Sequence, residues 1–146
     1  MKLAKAISIF VLIAICGCSQ PENLSAVKLP AVKVEFMHYN ISGTHVLKIN
    51  SAKATYINLS EAPERLYLPS DVPFPGIHVF AYFSKGITPI TWIPIETEGE
   101  NITTYVGFSR ENVPEKGESM IVVVDVVDRM GKSYATDSVR IIWNLE

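Results

Sequence analysis

Cysteine is almost absent from this 146-residue chain: Cys16 and Cys18 stand close together near its start, and none follows them. Any fold built beyond residue 18 has no disulfide within reach and depends on its hydrophobic core. Grouped lysines and arginines are also lacking. This excludes nucleic-acid binding, which needs several basic side chains close together to displace counterions. The longest apolar run near the start is only about half the roughly 20 residues that a membrane-spanning helix needs.

The first 20 residues have the layout of an export signal. Two lysines precede the ten-residue segment 6–15, which contains a single polar residue. Signal cleavage requires small side chains just before the cut. A cut before Cys16 would follow the bulky Ile15, whereas a cut before Cys18 follows Gly17. The second position is therefore favoured.

The segment ICGC at 15–18 resembles the lipobox of bacterial lipoproteins, in which an aliphatic residue and two small residues precede a modified cysteine. Cys16 departs from the pattern, since alanine or serine is commoner at that position. In this family the cysteine carries diacylglycerol on sulfur and usually a further acyl chain on nitrogen. The resemblance implies a signal peptide at 1–17, lipidation of Cys18 and a lipidated tether at 18–29.

Lipid anchoring also implies a location. Three acyl chains, at about 0.8 kcal/mol per buried CH₂, give effectively permanent membrane attachment. Ser19, and not aspartate, follows the cysteine. By resemblance to Gram-negative lipoproteins, this implies the periplasmic face of the outer membrane, with the cell surface or the cytoplasmic membrane as alternatives. Removal of 1–17 leaves 129 residues, eleven basic and fifteen acidic, and we expect one domain at 30–146.

The predicted domain has the pattern of an all-β protein. Eight prolines interrupt it, and no apolar pattern of helical period lasts between them. Short runs rich in Val, Ile, Thr, Tyr and Phe recur instead, and such runs are typical of strands. They predict nine strands, at 31–39, 45–49, 54–59, 65–68, 77–83, 90–95, 102–108, 119–127 and 134–143.

The segment 119–127 (SMIVVVDVV) differs from the others because both of its faces are apolar. We expect such a strand at the centre of a sheet, with other residues covering its second face. Asp128 and Gly131 follow it and predict a tight turn. Glycine tolerates the positive φ of hairpin turns, and aspartate bonds nearby backbone.

The stretch 105–143 (YVGFSRENVPEKGESMIVVVDVVDRMGKSYATDSVRIIW) resembles the last three strands of bacterial immunoglobulin-like domains. In that family, an apolar strand ends in a similar turn, and a Thr/Ser-rich strand closes the sandwich. Met120 departs from the pattern, where a corner tyrosine is common, and no cysteine pair bridges the sheets. The resemblance implies an immunoglobulin-like β-sandwich of about nine short strands, with Trp92 at the central core position. A transthyretin-like or other sandwich topology is the alternative.

Three histidines, His38, His45 and His78, fall singly in predicted strands. A zinc site needs three or four converging ligands, and no local pair such as H-E-x-x-H is present. His38 and His45 could meet across a hairpin with Glu35 nearby. Ordinary surface or half-buried histidines are the favoured interpretation.

Acidic residues suggest no reaction either. Asp125 and Asp128 could hold calcium, but they offer too few oxygens, and we expect Asp128 to cap the turn and Asp125 to lie on the sheet face. Glu96, Glu98 and Glu100 could supply a glycosidase pair, but a solvated turn is favoured. Nucleophile elbows and phosphate-binding loops are missing from the sequence. We therefore expect a protein that is not an enzyme, with no catalytic residues, metal or cofactor.

Two proline-rich stretches, 67–76 and 87–94, place Tyr67, Phe74 and Trp92 close to loops. Prolines stiffen a loop and so reduce the entropy lost when it binds a partner. These aromatics are candidates for partner binding, and plugging the ends of the sandwich is their favoured alternative role. The leading hypothesis is a membrane-anchored, non-catalytic binding or scaffolding module for an envelope protein. A carbohydrate or envelope-glycan module is the alternative, and a cell-wall hydrolase is the least favoured.

Overall fold

A computed structural model describes residues 27–145, except for the side chain of Arg110. The predicted signal peptide, Cys18 and the tether up to residue 26 lie outside the described residues. The first strand begins at Lys28, two residues before the predicted domain boundary. Within 27–145, no helix has both the length and the hydropathy needed to cross a membrane.

The described residues form nine strands and two single-turn 3-10 helices. The strands are β1 (Lys28–Ile41), β2 (Thr44–Asn58), β3 (Leu66–Tyr67), β4 (Gly76–Phe83), β5 (Gly86–Ile87), β6 (Ile90–Ile93), β7 (Gly99–Gly107), β8 (Ser119–Val127) and β9 (Ser133–Ile142); the 3-10 helices are Leu59–Glu61 and Arg110–Asn112.

These strands make two antiparallel sheets. One has the order β2-β1-β7, and the other has the order β3-β6-β4-β8-β9 with β5 paired to β4. The inner faces of both sheets contribute to one main core, as alternation along each strand requires. The predicted nine-stranded β-sandwich is confirmed.

The larger sheet has the strand order expected of an immunoglobulin-like domain. Its run β6-β4-β8-β9 corresponds to C′-C-F-G, and β1 pairs with β7 as strand B pairs with E. The strand beside β1 differs in origin. Immunoglobulin domains place there strand A, which precedes B, whereas this chain places there β2, which follows β1 in a hairpin.

The number of strands is as predicted although two details differ, because one predicted pair of strands is a single strand and one further strand is present. The predicted strands 45–49 and 54–59 are one strand, β2, which is continuous because it follows β1 throughout. Glu35 pairs with Ser51 and Phe36 with Ile49, so Asn50 is an extra residue in a bulge. The polar residues around the bulge look like a loop in the sequence. The short strand β5 was not predicted.

Strand β8 occupies the predicted central place, between β4 and β9. Its residues Met120, Val122, Val124 and Val126 are buried in the main core. On the other face, Val123 is also buried and packs in a second cluster that includes Val72 and Phe80. The connection 68–75 therefore supplies the expected cover for the second face of the sheet.

The prediction for Trp92 as the core tryptophan is wrong. Trp143 is the tryptophan of the main core and is only 2% exposed. Trp92 pairs with His78, whose neighbours Ile77 and Val79 point into the core, so the pleat turns Trp92 to the outer face of the sheet. Trp143 packs edge-on against Phe108, which packs against Phe83. These rings close one end of the sandwich, and they are not the aromatics that the loop pattern predicted for this role.

The two sheets also meet along one side, where β2 lies beside β9. The carboxylate of Asp137 accepts a hydrogen bond from the backbone N–H of Ile49, at 2.7 Å. This satisfies a donor on the edge strand β2, and an inward-pointing charge of this kind protects an edge from pairing with other chains.

We expect Asp137→Ala to lower the free energy of unfolding by about 1–3 kcal/mol, because it leaves the Ile49 N–H without its acceptor. Asp137→Asn retains an acceptor oxygen and should lower it less. Urea unfolding measures both. Ser138→Ala, at the exposed neighbouring position, is the matched control. If Asp137→Ala and Ser138→Ala lowered the free energy of unfolding equally, the hydrogen bond between Asp137 and Ile49 would not stabilise the contact between the sheets.

Candidate functional site

Four chain connections gather at one end of the sandwich, which we call the distal end. β1 starts at Lys28 and runs for 14 residues, about 45 Å, to its hairpin turn. β8 ends where β4 begins, since Val127 pairs with Gly76, and β7 begins where Gly99 pairs with His38. The four connections are 42–43, 68–75, 94–98 and 128–132. They lie far from the end at which the described chain starts.

Large apolar side chains at the distal end are exposed. They come from three of its connections or the strand ends beside them: Met130 is 87% exposed, Ile41 63%, Tyr134 52% and Phe74 48%. Exposed apolar residues are ordinary when single, but several on neighbouring loops indicate a surface for interaction.

Local hydrogen bonds fix the two hairpin turns that hold these side chains. Ser42 and Gly43 both have positive φ, as a two-residue turn of type I′ requires, and Asn40 accepts from the Gly43 N–H. In the second turn, Asp128 accepts from the backbone N–H groups of residues 130 and 132, and Gly131 has a φ of 83°. The predicted turn and the capping role of Asp128 are confirmed.

The predicted binding residues Tyr67, Phe74 and Trp92 do not form one surface. Tyr67 and Trp92 are half-buried and pack on the outer face of the larger sheet. The indole N–H of Trp92 donates to the Pro75 carbonyl at 3.0 Å, and the ring lies so close to Gly76 that any Cβ there would overlap it. Only Phe74 reaches the distal end with its side chain exposed.

His38 and His45 lie in direct contact just beneath the distal end. Nε2 of His38 is 2.9 Å from Nδ1 of His45, and the two rings are within 10° of parallel with centroids 5.2 Å apart. The centroids are as far apart as this short N···N contact allows, so the two parallel rings lie nearly in one plane. The contact is therefore an in-line N–H···N hydrogen bond. The sequence allows contact between the two histidines across the hairpin but favours ordinary, separate histidines. The structure shows the contact. Glu35 takes no part, because it accepts from the Ser51 hydroxyl.

The hydrogen-bond partners determine which nitrogens carry hydrogen. Nδ1 of His38 lies 2.7 Å from the Thr97 carbonyl, which can only accept, so this nitrogen donates. Nε2 of a neutral His38 ring then carries no hydrogen and can only accept, so Nδ1 of His45 must donate to it. Nε2 of His45 then also lacks hydrogen, and it takes no part in either of these two hydrogen bonds.

His38 is completely buried, whereas His45 is half-buried and stacks on Tyr134 of β9, with centroids 5.7 Å apart. Desolvation lowers the pKa of His45 below its ordinary value, His38 adds to this effect, and Glu98 opposes it. The Tyr134 hydroxyl is hydrogen-bonded to Asp128, which raises the pKa of Tyr134. The histidine pair thus joins both sheets and two distal connections.

His78 lies apart from this pair, on the outer face of the larger sheet. It is 5% exposed, its Nε2 is 3.1 Å from the Pro73 carbonyl, and its ring packs against Phe74. Desolvation lowers its pKa, an effect that the bond to Pro73 and the nearby Asp125 oppose. Asp125 lies on the sheet face as predicted, where it accepts from the hydroxyls of Ser133 and Thr136.

A separate apolar pocket of about 210 Å³ lies at the opposite end, under the segment 59–64. It is lined mainly by Leu29, Pro30, Ile57 and Leu66. Over the part of the chain that the structure describes, no three His, Cys, Asp or Glu side chains gather as metal ligands would.

Comparisons of the chain with known protein families, with curated proteins and with solved structures found no match. A function for this protein is therefore inferred from the geometry of the distal end and of its histidine pair.

We expect the free energy of unfolding to decrease as pH falls below about 6.5. The folded pKa values of His45 and His78 are lowered, so the unfolded chain, with histidine pKa near 6.5, binds more protons in this range. The stabilisation is fully present above about pH 7, and its loss levels off below the folded pKa values. Urea unfolding at closely spaced pH values measures the slope.

His45→Gln and His78→Gln should each make that slope shallower, and the double variant should remove most of it. A stability that stays constant between pH 7 and 5 would contradict the burial of both neutral rings.

Proposed function

We propose that this chain is a lipid-anchored, non-catalytic binding or scaffolding module of the bacterial envelope, attached to the membrane through Cys18. Its partner is an envelope protein that docks on the distal end. The lipobox at 15–18 supports the anchor. By the same resemblance, the anchor is in the outer membrane and the domain faces the periplasm.

The observation that carries the proposal is the placement of the four distal connections. The tether joins the domain at Lys28, and β1 leads from there directly to the distal end, about 45 Å away. A domain anchored through the residues before its first strand therefore carries its exposed apolar side chains at the end far from the anchor, where proteins in the surrounding compartment can reach them.

The distal end has the chemistry of a protein-binding surface. Phe74 and Met130 lie near each other, since the Phe74 ring packs close to Gly131. Tyr134 is linked to the same turn through Asp128. Aromatic side chains and methionine are enriched in protein interfaces, and loops that are already fixed lose little entropy on binding.

Local bonding supports a role without catalysis. The Ser133 hydroxyl donates to the Asp125 carboxylate at 2.5 Å and is also 2.9 Å from the Thr136 hydroxyl. A serine nucleophile needs a base such as imidazole to receive its proton, and the imidazole of His78 is directed to the Pro73 carbonyl. The glycan alternative has less support, because Gly76 covers Trp92, and Pro75 accepts its indole N–H.

The anchor is tested by Cys18→Ser. We expect this variant to lose the added lipid mass and to move from the membrane fraction to the soluble fraction. Cys16→Ala is the matched control, because residue 16 leaves with the signal peptide, and it should be lipidated normally. Intact-mass spectrometry after detergent extraction measures the modification. An unmodified Cys18 in the wild-type chain would overturn the anchor.

Docking is tested by photo-crosslinking in cells, with a photoreactive residue at position 130. We expect one defined protein adduct, several-fold reduced by Phe74→Ala. The control places the same residue at position 142, where Ile142 is 52% exposed at the opposite end. Equal adducts from both positions, or no adduct from position 130, would contradict docking at the distal end.

A further inference from the structure

The histidine pair lies where four elements of the distal end converge. His38 comes from β1 and His45 from β2, Thr97 belongs to the connection 94–98, and Tyr134 belongs to β9 of the other sheet. A change at this pair therefore reaches the hairpin, a loop and both sheets at once.

We propose that the His38–His45 pair is a proton switch that sets the charge and packing of the distal end. The proton is received at Nε2 of His45, the nitrogen without hydrogen that is not already an acceptor within the pair. The resulting imidazolium still donates through Nδ1 to His38, and His38 still donates to Thr97. One proton thus adds a positive charge without breaking either hydrogen bond.

The groups around His45 determine how the charged form acts. Glu98 is the acidic group of the 94–98 connection that interacts with His45, and His38 faces it from β1. Tyr134 offers its ring from β9, with its hydroxyl bonded to Asp128 and with Lys132 lying 6.0 Å from the ring centroid. The imidazolium is attracted by the Glu98 carboxylate and by the aromatic ring, while Lys132 opposes it.

Protonation consequently draws the connection 94–98 towards the hairpin tip and pairs Glu98 with His45. This connection and the strand after it carry three alternating acidic residues, Glu96, Glu98 and Glu100. In the neutral state their charges favour a partner with basic side chains at its rim. In acid, the protonated His45 adds a positive charge that pairs with Glu98 and reduces the net negative charge of this surface. We therefore expect docking to weaken as pH falls. This consequence rests on the proposed function, whereas the switch itself does not.

A proton fits the pair better than a metal ion. Zinc requires each nitrogen to point at an ion about 2.0–2.1 Å away. The nitrogens of His38 and His45 point at each other across 2.9 Å in nearly coplanar rings, so the pair would have to open and rotate. Within the described residues, no third acidic, histidine or cysteine ligand joins them.

The switch is tested by NMR of the full chain, ¹⁵N-labelled, in detergent micelles. At neutral pH we expect both rings as Nδ1–H tautomers. On acidification, Nε2 of His45 should protonate with a midpoint below 6.5, and the backbone amides of residues 95–99 should shift with the same midpoint. An Nε2–H tautomer of His45 at neutral pH, a loop that does not follow the titration, or displacement of the pair by added zinc would overturn the switch.

Three variants separate the switch from general effects of pH. His45→Gln should abolish the transition in the amides of residues 95–99. Glu98→Gln, at an exposed position that should not affect folding, should lower the His45 midpoint and shrink the loop shift. His78→Gln, which removes a buried histidine on the outer face of the larger sheet, should leave both unchanged. If the amides of residues 95–99 shifted as much in Glu98→Gln as in the wild-type chain, Glu98 would not be the group that pairs with protonated His45. This result would be decisive even if His45→Gln failed to fold.

Crosslinking from position 130 at pH 7.5 and pH 5.5 tests the consequence for docking. The adduct should fall several-fold in acid for the wild-type histidines and stay constant in His45→Gln. A titrating pair with no adduct at either pH would overturn the proposed function alone. A titrating pair with a pH-independent adduct would overturn the coupling between switch and docking.

Discussion

Two apolar sheet faces pack against each other and hold this domain together. The described residues contain no cysteine, so the closed sandwich owes its stability to this burial and to its backbone hydrogen bonds. Side chains such as Val34 and Val122 are fully buried between the sheets, at about 1.5–3 kcal/mol each. A slip of one residue in any core strand would expose such a face, so the register is strongly fixed.

A fixed register also determines where the connections lie. The long hairpin of β1 and β2 carries the chain from one end of the domain to the other, and three further connections end beside its tip. The ring cluster around Trp143 closes the end at which the chain starts. At the distal end, by contrast, Met130 and Ile41 are exposed. This difference between the two ends supports assigning interaction to one and closure to the other.

Polar groups at the distal end are connected to each other rather than scattered. Two hydrogen bonds join the Thr97 carbonyl, His38 and His45 in series, and the ring of His45 stacks on Tyr134. Desolvation lowers the pKa of His45, and the hydrogen bonds of the pair hold the connection 94–98 against the first strand. A surface for binding and a group that titrates close to it are thus properties of the same end of the molecule.

The all-β class, the central place of the apolar strand β8 and the turn at Asp128 could all be predicted from the order of the amino acids, because alternation and turn chemistry are properties of neighbouring residues. Which tryptophan enters the core could not be predicted in this way, since it depends on the pleat and on pairing between β4 and β6. The same holds for the histidine pair. His38 and Thr97 are 59 residues apart in the chain, and they meet only because sheet packing and the hairpin register bring one loop onto one strand.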